Sequence, residues 1–321
     1  MFALRGIAVS FSVFVILYSG LSLVVFSAWR KGLFYGQRYS ARRCADLLFA
    51  LRMAPFALAS GVTLALAVPS FLLLEPRVVN EPMGAVPVVL ALCGLAVLPA
   101  GIWKAATALM QASRTVARWS REAGVTGSSL LESGNSVSVQ RTSGAAPPLT
   151  AAGIFRPTVW LSRAAEFVLT ERELQSALRH EVAHVHRRDN LRKLILRVVA
   201  FPGMADLESA WREATEMAAD DAAVSTASEA LDLAAAVIKL SRLATTEVPA
   251  ELTTALVHSP ASSLNARVER LISWTEPRPR QAPRYSTGYA LCAAFTVVAT
   301  LAITYSGLLV RVHAATEWLV R

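Results

Sequence analysis

The residues with the clearest chemical potential are His180, Glu181 and His184, which stand in the segment HEVAH. In a helix, positions i and i+4 lie on one face, so both imidazoles can bind a single metal ion. Glu181 lies beside them and can accept a proton from water that the ion polarises. This HExxH pattern is typical of zinc peptidases. The alternative is a solvent-exposed charged helix with incidental histidines.

The residues before the motif predict a properly started helix. Thr170 to Glu173 has the S/T-x-x-E form of a capping box, in which the first and last side chains bond the free N–H groups of a helix start. Leu174, Ala177 and Leu178 then supply an apolar stripe at helical spacing. The motif is therefore predicted to lie well inside a helix, which argues against a chance match.

A catalytic zinc usually has three protein ligands, so a third ligand is expected downstream. The segment from Trp211 to Asp221, WREATEMAADD, has a helical composition and places Glu216 and Asp220 one turn apart. Glu216 is the predicted third ligand, and Asp220 is predicted to accept the other ring N–H of a ligating histidine. Glu213 has Met217 one turn after it and is predicted to face solvent.

These motifs resemble a known class of enzymes. HExxH followed by the E-x-x-x-D of Glu216 and Asp220 resembles the gluzincin pattern of zinc peptidases. The segments 180–190, HEVAHVHRRDN, and 153–162, GIFRPTVWLS, are similar to the BlaR/MecR-type membrane metallopeptidases of bacteria. Asp189 also resembles a position of the CAAX prenyl endopeptidases and the HtpX heat-shock proteases. This resemblance implies that Asp189 is a further carboxylate in contact with the metal ligands. The resemblance covers residues 153 to 221.

The resemblance implies a cofactor, a substrate and a substrate-binding strand. The cofactor would be one catalytic Zn²⁺, and the substrate a cytosolic winged-helix repressor of the BlaI/MecI type, cleaved in signal transduction or antibiotic response. An extended substrate would pair with an edge strand formed by Pro157, Thr158, Val159, Trp160, Leu161 and Ser162. A purely structural strand is an equally good interpretation of this segment.

The composition indicates a membrane protein without reference to any family. Hydrophobic residues make up 54% of the chain and charged residues only 17%, with a mean hydropathy of +0.43. Four segments are apolar enough to cross a bilayer, which needs about 20 residues; they lie near 6–29, 54–74, 85–103 and 288–310. The first is followed by no convincing cleavage site and is predicted to remain as an anchor.

The predicted fold is a mainly α membrane protein with four transmembrane helices and a cytoplasmic α+β peptidase domain of gluzincin type. Residues 1–110 form a membrane domain with three spans, 111–284 the peptidase domain, and 285–321 the fourth span with a short external tail. Strands are predicted at 136–140 and 158–162, and further helices at 231–243 and 264–274. His258 and His313 are interpreted as incidental, and no disulfide framework is expected from three cysteines.

The basic residues predict the orientation in the membrane. Cytoplasmic loops concentrate Lys and Arg, and six such residues lie between the first two predicted spans: Arg30, Lys31, Arg38, Arg42, Arg43 and Arg52. The peptidase domain is therefore predicted to face the cytoplasm of a bacterial cell membrane, with both termini external. Much of the net charge of +9 is attributed to these loops, whose basic residues are expected to set the orientation and to contact membrane lipid. Direct nucleic-acid binding is not expected, because the sequence has no base-reading motif.

The sequence is compatible with three functions. The first is a zinc endopeptidase that cleaves a dedicated cytosolic repressor. The second is a quality-control protease of the HtpX/CAAX type, which would cut misfolded membrane proteins. The third is a non-catalytic membrane receptor or scaffold that keeps the fold. Because the sequence ends at Arg321, soon after the fourth predicted span, we expect a separate sensor protein or the membrane itself to supply any activating signal.

Overall fold

A computed structural model of the chain describes residues 2–36, 40–76, 84–122, 127–132, 135–142, 147–199, 201–243, 253–255, 261–275 and 304–318. The protein is mostly helical with one small sheet. It forms two compact units, the first made of Met1–Ala28, Met53–Pro99 and Pro277–Arg321, and the second of Trp29–Arg52 and Ala100–Glu276. The second unit thus contains most of the predicted peptidase domain together with the segment 29–52.

Long helices dominate the first third of the chain. They are α1 (Phe2–Gly36), α2 (Ala41–Val62), which continues through a π-helical segment (Thr63–Ala67) into α3 (Val68–Leu74), and α4 (Ala85–Glu122). Three stretches within them are long and apolar enough to cross a bilayer: Phe2–Arg30, Ala41–Leu74 and Ala85–Arg121. They contain the first three predicted spans and indicate a membrane protein.

The fourth predicted span, 288–310, falls mostly outside the described residues. The described part of this region is a helix over residues 304–318, α11, which belongs to the first unit. The prediction of a fourth span therefore stays a prediction.

In the first unit, Pro69 accounts for a hydrogen bond between α11 and the π-helical segment. Pro69 has no N–H to donate to the carbonyl of Ala65 one turn earlier, so that carbonyl needs another donor. The hydroxyl of Tyr305 in α11 donates to it at 2.7 Å. In a lipid environment an unsatisfied carbonyl is costly, so this bond helps to fix α11 beside the π-helical segment.

Among its described residues, the second unit contains a five-stranded sheet and six helices of its own, besides the end of α1, the start of α2 and the end of α4. The strands are β1 (Gly127–Glu132), β2 (Asn135–Thr142), β3 (Leu149–Ala152), β4 (Thr158–Ser162) and β5 (Thr253–Ala255). The helices are α5 (Arg163–Val168), α6 (Glu171–Arg187), α7 (Asp189–Val198), α8 (Ala205–Ala223), α9 (Ala227–Leu243) and α10 (Ala261–Ile272). The strands predicted at 136–140 and 158–162, and the two later helices, are confirmed.

The core of this unit lies between the sheet and helices α6, α9 and α10. Alternate residues of the strands point into it, and each helix contributes one apolar stripe; buried members include Val137, Val139, Val159, Leu161, Ala177, Val182, Leu233, Val237, Leu240 and Leu271. Full burial of one large aliphatic side chain is worth roughly 1.5–3 kcal/mol. The core therefore holds α6 firmly against the sheet.

The strand order corrects one prediction. The sheet runs β1-β2-β4-β3-β5, so β4 is the central strand and pairs with β2 on one side and β3 on the other. The prediction that Pro157, Thr158, Val159, Trp160, Leu161 and Ser162 form an edge strand for substrate is wrong. Both hydrogen-bonding sides of β4 are occupied, and an extended peptide has no place to pair with it.

A close approach within the second unit gives a testable prediction about stability. A Cβ atom on Gly101, in α4, would lie 2.1 Å from the carbonyl oxygen of Val198, at the end of α7. Because that neighbour is backbone, Gly101→Ala must displace one helix, and we expect a loss of about 1–3 kcal/mol in the free energy of unfolding. The measurement is the melting temperature of the purified chain in detergent.

Gly61 provides the matched control, since it is also helical and, apart from its own helix backbone and chain neighbours, no described atom lies within 4 Å of its would-be Cβ. Gly61→Ala should leave the melting temperature unchanged or raise it slightly, because alanine favours helix over glycine. Equal melting temperatures for Gly101→Ala and the unmodified chain would contradict the close packing of α4 against α7.

Candidate metal centre

Helix α6 positions the HExxH residues, and its ends are defined by local interactions. At its start the Thr170 N–H donates to Glu173 Oε2 at 2.8 Å, and the Glu173 N–H donates to Thr170 Oγ1 at 3.4 Å, which is the predicted capping box. At its end Arg188 adopts the left-handed conformation, with φ 54° and ψ 41°, and redirects the chain into α7. The motif is thus well inside a helix, as predicted.

The three predicted metal ligands converge. His180 and His184 are buried, with their Nε2 atoms 3.1 Å apart. Helix α8 brings Glu216 to them, and its two carboxylate oxygens each lie 3.5 Å from one of these Nε2 atoms. One ligand atom from each residue lies within 4.8 Å of the others, which suits a metal ion. Glu213 is exposed, as predicted.

Each histidine has a carboxylate on its other ring nitrogen. Asp220 Oδ1 lies 2.9 Å from His180 Nδ1, and Asp189 Oδ2 lies 2.7 Å from His184 Nδ1. The contact at His184 is a hydrogen bond, whereas the contact at His180 is a close ion pair without hydrogen-bond geometry. A ring proton on each Nδ1, next to its carboxylate, leaves the Nε2 lone pairs facing each other and Glu216. A cluster of acceptors that face one point is best satisfied by a cation, so the residues present fit a zinc ion.

The predicted base, Glu181, is buried next to this cluster. Its Oε2 accepts a hydrogen bond from the N–H of Ala151 in β3 at 2.8 Å, while its Oε1 has no partner in the described part of the chain. Burial raises the pKa of the Glu181 carboxyl to about 7, although the neighbouring histidines act in the opposite direction. A carboxylate with a pKa near neutrality is well suited to take and return a proton.

Arg267, on α10, is an important residue that the sequence reasoning missed. Its guanidinium is buried and holds Asp220 through two bonds, Nε to Oδ2 at 2.9 Å and Nη2 to Oδ1 at 2.7 Å. Its Nη1 lies 2.9 Å from Glu216 Oε2. One signal was available: Arg267 shares the apolar face of its helix with Leu264 and Leu271, where a charged residue needs a buried partner.

Asn190 was also missed, and it joins β3 to the metal centre. Its side-chain amide donates to the carbonyls of Ala151 and Gly153 at 3.1 Å and 3.3 Å. Ala151 therefore donates to the proposed base and accepts from the residue after Asp189, so both of its backbone groups are engaged by the HExxH region. No sequence pattern identifies an alanine whose role lies in its backbone.

A large cleft opens beside His184. It has a volume of about 1,060 Å³ and is lined by His184, Asp189 and the turn from Gly153 to Thr158. Phe155 in this turn is 82% exposed. Pro157 and Thr158 thus line the cleft although β4 is not an edge strand, whereas Val159, Trp160 and Leu161 are almost fully buried in the sheet. The turn and the first residue of β4, and not the rest of the strand, are accessible to a bound peptide.

The carboxylates around the histidines determine which groups of the cluster are charged, through their effect on pKa values. Burial opposes a charge on His180, but the carboxylates of Asp220 and Glu216 outweigh it and raise the pKa of the imidazole to about 9. Burial also opposes a charge on Glu216, but Arg267 and the histidines lower its pKa to about 2. The cluster is therefore strongly attractive to a positive charge, whether a proton or a metal ion.

This balance predicts that zinc binding releases protons. Because the pKa of His180 is raised above its ordinary value, the metal-free chain holds a proton there at pH 7, and zinc must displace it. The apparent zinc affinity should rise as the pH rises toward about 9. Calorimetric titrations in two buffers of different ionisation enthalpy measure the released protons. A binding enthalpy that is independent of the buffer at pH 7 would contradict the assignment.

A second prediction tests the carboxylate behind His180. Asp220→Asn removes the charge that orients the imidazole, and we expect zinc affinity to fall by about 10–100-fold. The measurement is zinc retained by the full chain in competition with a chelator. Asp221→Asn is the matched control, because the adjacent Asp221 pairs with Arg270 at the surface and not with the histidines. Equal losses in the two variants would argue against a specific role for Asp220.

Comparisons with known proteins do not identify a family for this chain. A scan against protein-family models and a search of the curated proteins each found no match for this chain. The resemblance to membrane gluzincins therefore rests on the motifs at 153–162, 180–190 and 216–220, and it stays a prediction.

Proposed function

We propose that this chain is an integral-membrane zinc endopeptidase. The observation that carries the proposal is the convergence of His180, His184 and Glu216, with Glu181 buried beside them. Two histidines on one helix, a glutamate from a second helix and a neighbouring carboxylate form the usual ligand and base set of a zinc peptidase.

When bound, zinc would polarise both water and the carbonyl of the peptide bond to be cut. Glu181 would take a proton from the attacking water and pass it to the nitrogen of the breaking amide bond, a step that suits a carboxyl with a pKa of about 7. Asp220 and Asp189 hold the two imidazoles in orientation, and Arg267 holds Asp220 and Glu216.

The cleft beside His184 is the proposed substrate entrance. It is large enough for several residues of an extended peptide, and the exposed Phe155 offers an apolar contact at its rim. We propose that the substrate is a cytosolic protein, specifically a winged-helix repressor of the BlaI/MecI type. This choice follows from the resemblance and from the predicted cytoplasmic orientation of the basic loops.

The remaining parts of the proposal concern the membrane. We propose that the chain lies in a bacterial cell membrane with both termini external, with a fourth span near 288–310, and that it receives its signal from lipid or a separate sensor protein. Two alternatives are a quality-control protease of the HtpX/CAAX type and a non-catalytic receptor. The experiment below distinguishes both from the proposed function, because each would give a different set of cleavage products.

The test compares newly formed protein N-termini in cells that express the unmodified chain or Glu181→Gln. The variant keeps the ligands but loses the proposed base, so we expect cleavage to fall by about a hundredfold or more while zinc content stays equal. Products that depend on Glu181 name the substrate: a DNA-binding repressor supports the signalling proposal, and assorted membrane proteins support quality control.

Glu171→Gln is the matched control, since it makes the same change in the exposed first turn of α6. It should cleave like the unmodified chain. Identical N-termini for the unmodified chain and Glu181→Gln, at equal expression and under every inducing condition applied, would overturn the enzymatic proposal in favour of a receptor.

A further inference from the structure

A second face of α6 borders a cavity rich in arginine. Arg179 and Ala183 lie about 100° around the helix from His180 and His184 respectively, and Arg187 follows at the end of the helix, about 60° around from His184. They border a cavity of about 410 Å³ that also involves the start of α2, the start of α7 and the small residues of α8. Its charged lining consists of five arginines and one carboxylate: Arg42, Arg179, Arg187, Arg188, Arg192 and Asp46.

Two of these arginines have close carboxylate partners. Arg192 Nη1 lies 2.8 Å from Asp46 Oδ1, and Arg179 Nη1 lies 2.7 Å from Glu229 Oε1. These pairs neutralise part of the cavity, but Asp46 is the only carboxylate among its described lining residues. The positive charge of the other arginines is therefore not balanced by the cavity itself.

Arg187 is the most informative of the remaining arginines. Its side chain is only 10% exposed, and the nearest carboxylate oxygens, on Asp46 and Asp189, lie 3.6 Å from its Nη2 and Nε. Neither nitrogen has a hydrogen-bond acceptor in the described part of the chain. Buried donors without acceptors are unfavourable, so these two nitrogens call for a partner that accepts hydrogen bonds.

Arg42 and Arg188 complete the positive cluster. Both are exposed, line the same cavity, and have no ion-pair partner among the residues that the structure describes. Arg188 is also held in the left-handed conformation at the junction of α6 and α7. Guanidinium groups donate in a planar fork that matches phosphate oxygens, which makes a converging set of arginines a suitable site for that group.

We propose that this cavity binds a phosphate group, carried either by an anionic phospholipid or by a soluble phosphate. Arg187 would supply the buried donors, and Arg42 and Arg188 would supply charge at the entrance. None of the candidate metal ligands lines this cavity, although Arg187 lies 3.6 Å from Asp189, and the site does not depend on the proposed peptidase activity.

The position of Arg42 gives the lipid source a physical basis. Arg42 lies in the first turn of α2, and this helix continues as the candidate span Ala41–Leu74. Basic pockets at the ends of membrane spans are well suited to bind lipid headgroups. A free phosphate presents the same oxygens, so the experiment must distinguish the two sources.

The test uses the full chain, purified with zinc in a neutral detergent, and has two arms. In the first arm, calorimetry measures the binding of inorganic phosphate at a constant ionic strength maintained with chloride. In the second arm, native mass spectrometry counts phosphatidylglycerol or phosphatidylcholine retained after transfer from mixed micelles. Saturable phosphate binding indicates a soluble source, and preferential retention of phosphatidylglycerol alone indicates a lipid source.

The variants connect binding to the cavity. The double variant Arg42→Gln with Arg188→Asn removes two exposed charges, and asparagine tolerates the left-handed conformation at position 188. We expect it to weaken binding at least about tenfold, because charge-assisted hydrogen bonds are lost. Arg187→Gln should weaken binding further, and its zinc content and melting temperature report whether it folds. If it does not fold, the double variant decides.

Arg172→Gln is the matched control. Arg172 lies on α6, is exposed and does not line the cavity, so its replacement removes a charge from the same helix without touching the site. It should bind phosphate or phosphatidylglycerol like the unmodified chain. The proposal is overturned if neither arm detects specific binding, or if Arg172→Gln weakens binding as much as the double variant.

Discussion

The candidate metal centre depends on one buried arrangement of charges, in which Arg267 binds Asp220 and Glu216 at the same time. Removal of one member of such a cluster would leave an uncompensated charge in the protein interior, which costs several kcal/mol. Helices α6, α8 and α10 can therefore pack together only if all three supply their polar residues in register. The arginine neutralises one of the two carboxylate charges, and the charge that remains favours a cation between His180 and His184.

The need to satisfy every buried polar group also joins the helices to other elements. The backbone of Ala151 in β3 donates to Glu181 and accepts from Asn190, so the sheet positions the proposed base and α7 together. In the first unit, Tyr305 supplies the donor that Pro69 cannot give to Ala65. In both units a hydrogen bond between a side chain and a backbone group holds a neighbouring element in place.

Helix α6 has several faces with different tasks. One face packs into the core through Leu174, Leu178 and Val185, the histidines and Glu181 form the metal side, and Arg179, Val182, Ala183 and Arg187 border the arginine-rich cavity. The histidine and cavity faces are in contact with α8, which carries Glu216 as well as the small residues of the cavity wall. A ligand in that cavity would thus contact the two helices that carry the candidate metal ligands, and through Arg187 it would lie near Asp189, which bonds His184.

Local patterns in the sequence were sufficient for the features that depend on short spacing. The capping box at Thr170, the face shared by His180 and His184, the glutamate one turn before Asp220, and three apolar stretches all follow from the geometry of a single helix. These features need no information about distant parts of the chain. The same reasoning anticipated the strands at 136–140 and 158–162 but not their order, because alternation of side chains is identical in central and edge strands.

Tertiary structure alone decided which distant residues meet. The pairing of β4 on both sides, the approach of Arg267 to residues 47 and 51 positions earlier, and the use of the Ala151 backbone all depend on how separate elements pack. The sequence by itself determined the types of ligand and their faces, since helix geometry relates residues three or four positions apart. It did not determine the surroundings of those ligands, because burial and pairing arise only when several helices and the sheet share one interior.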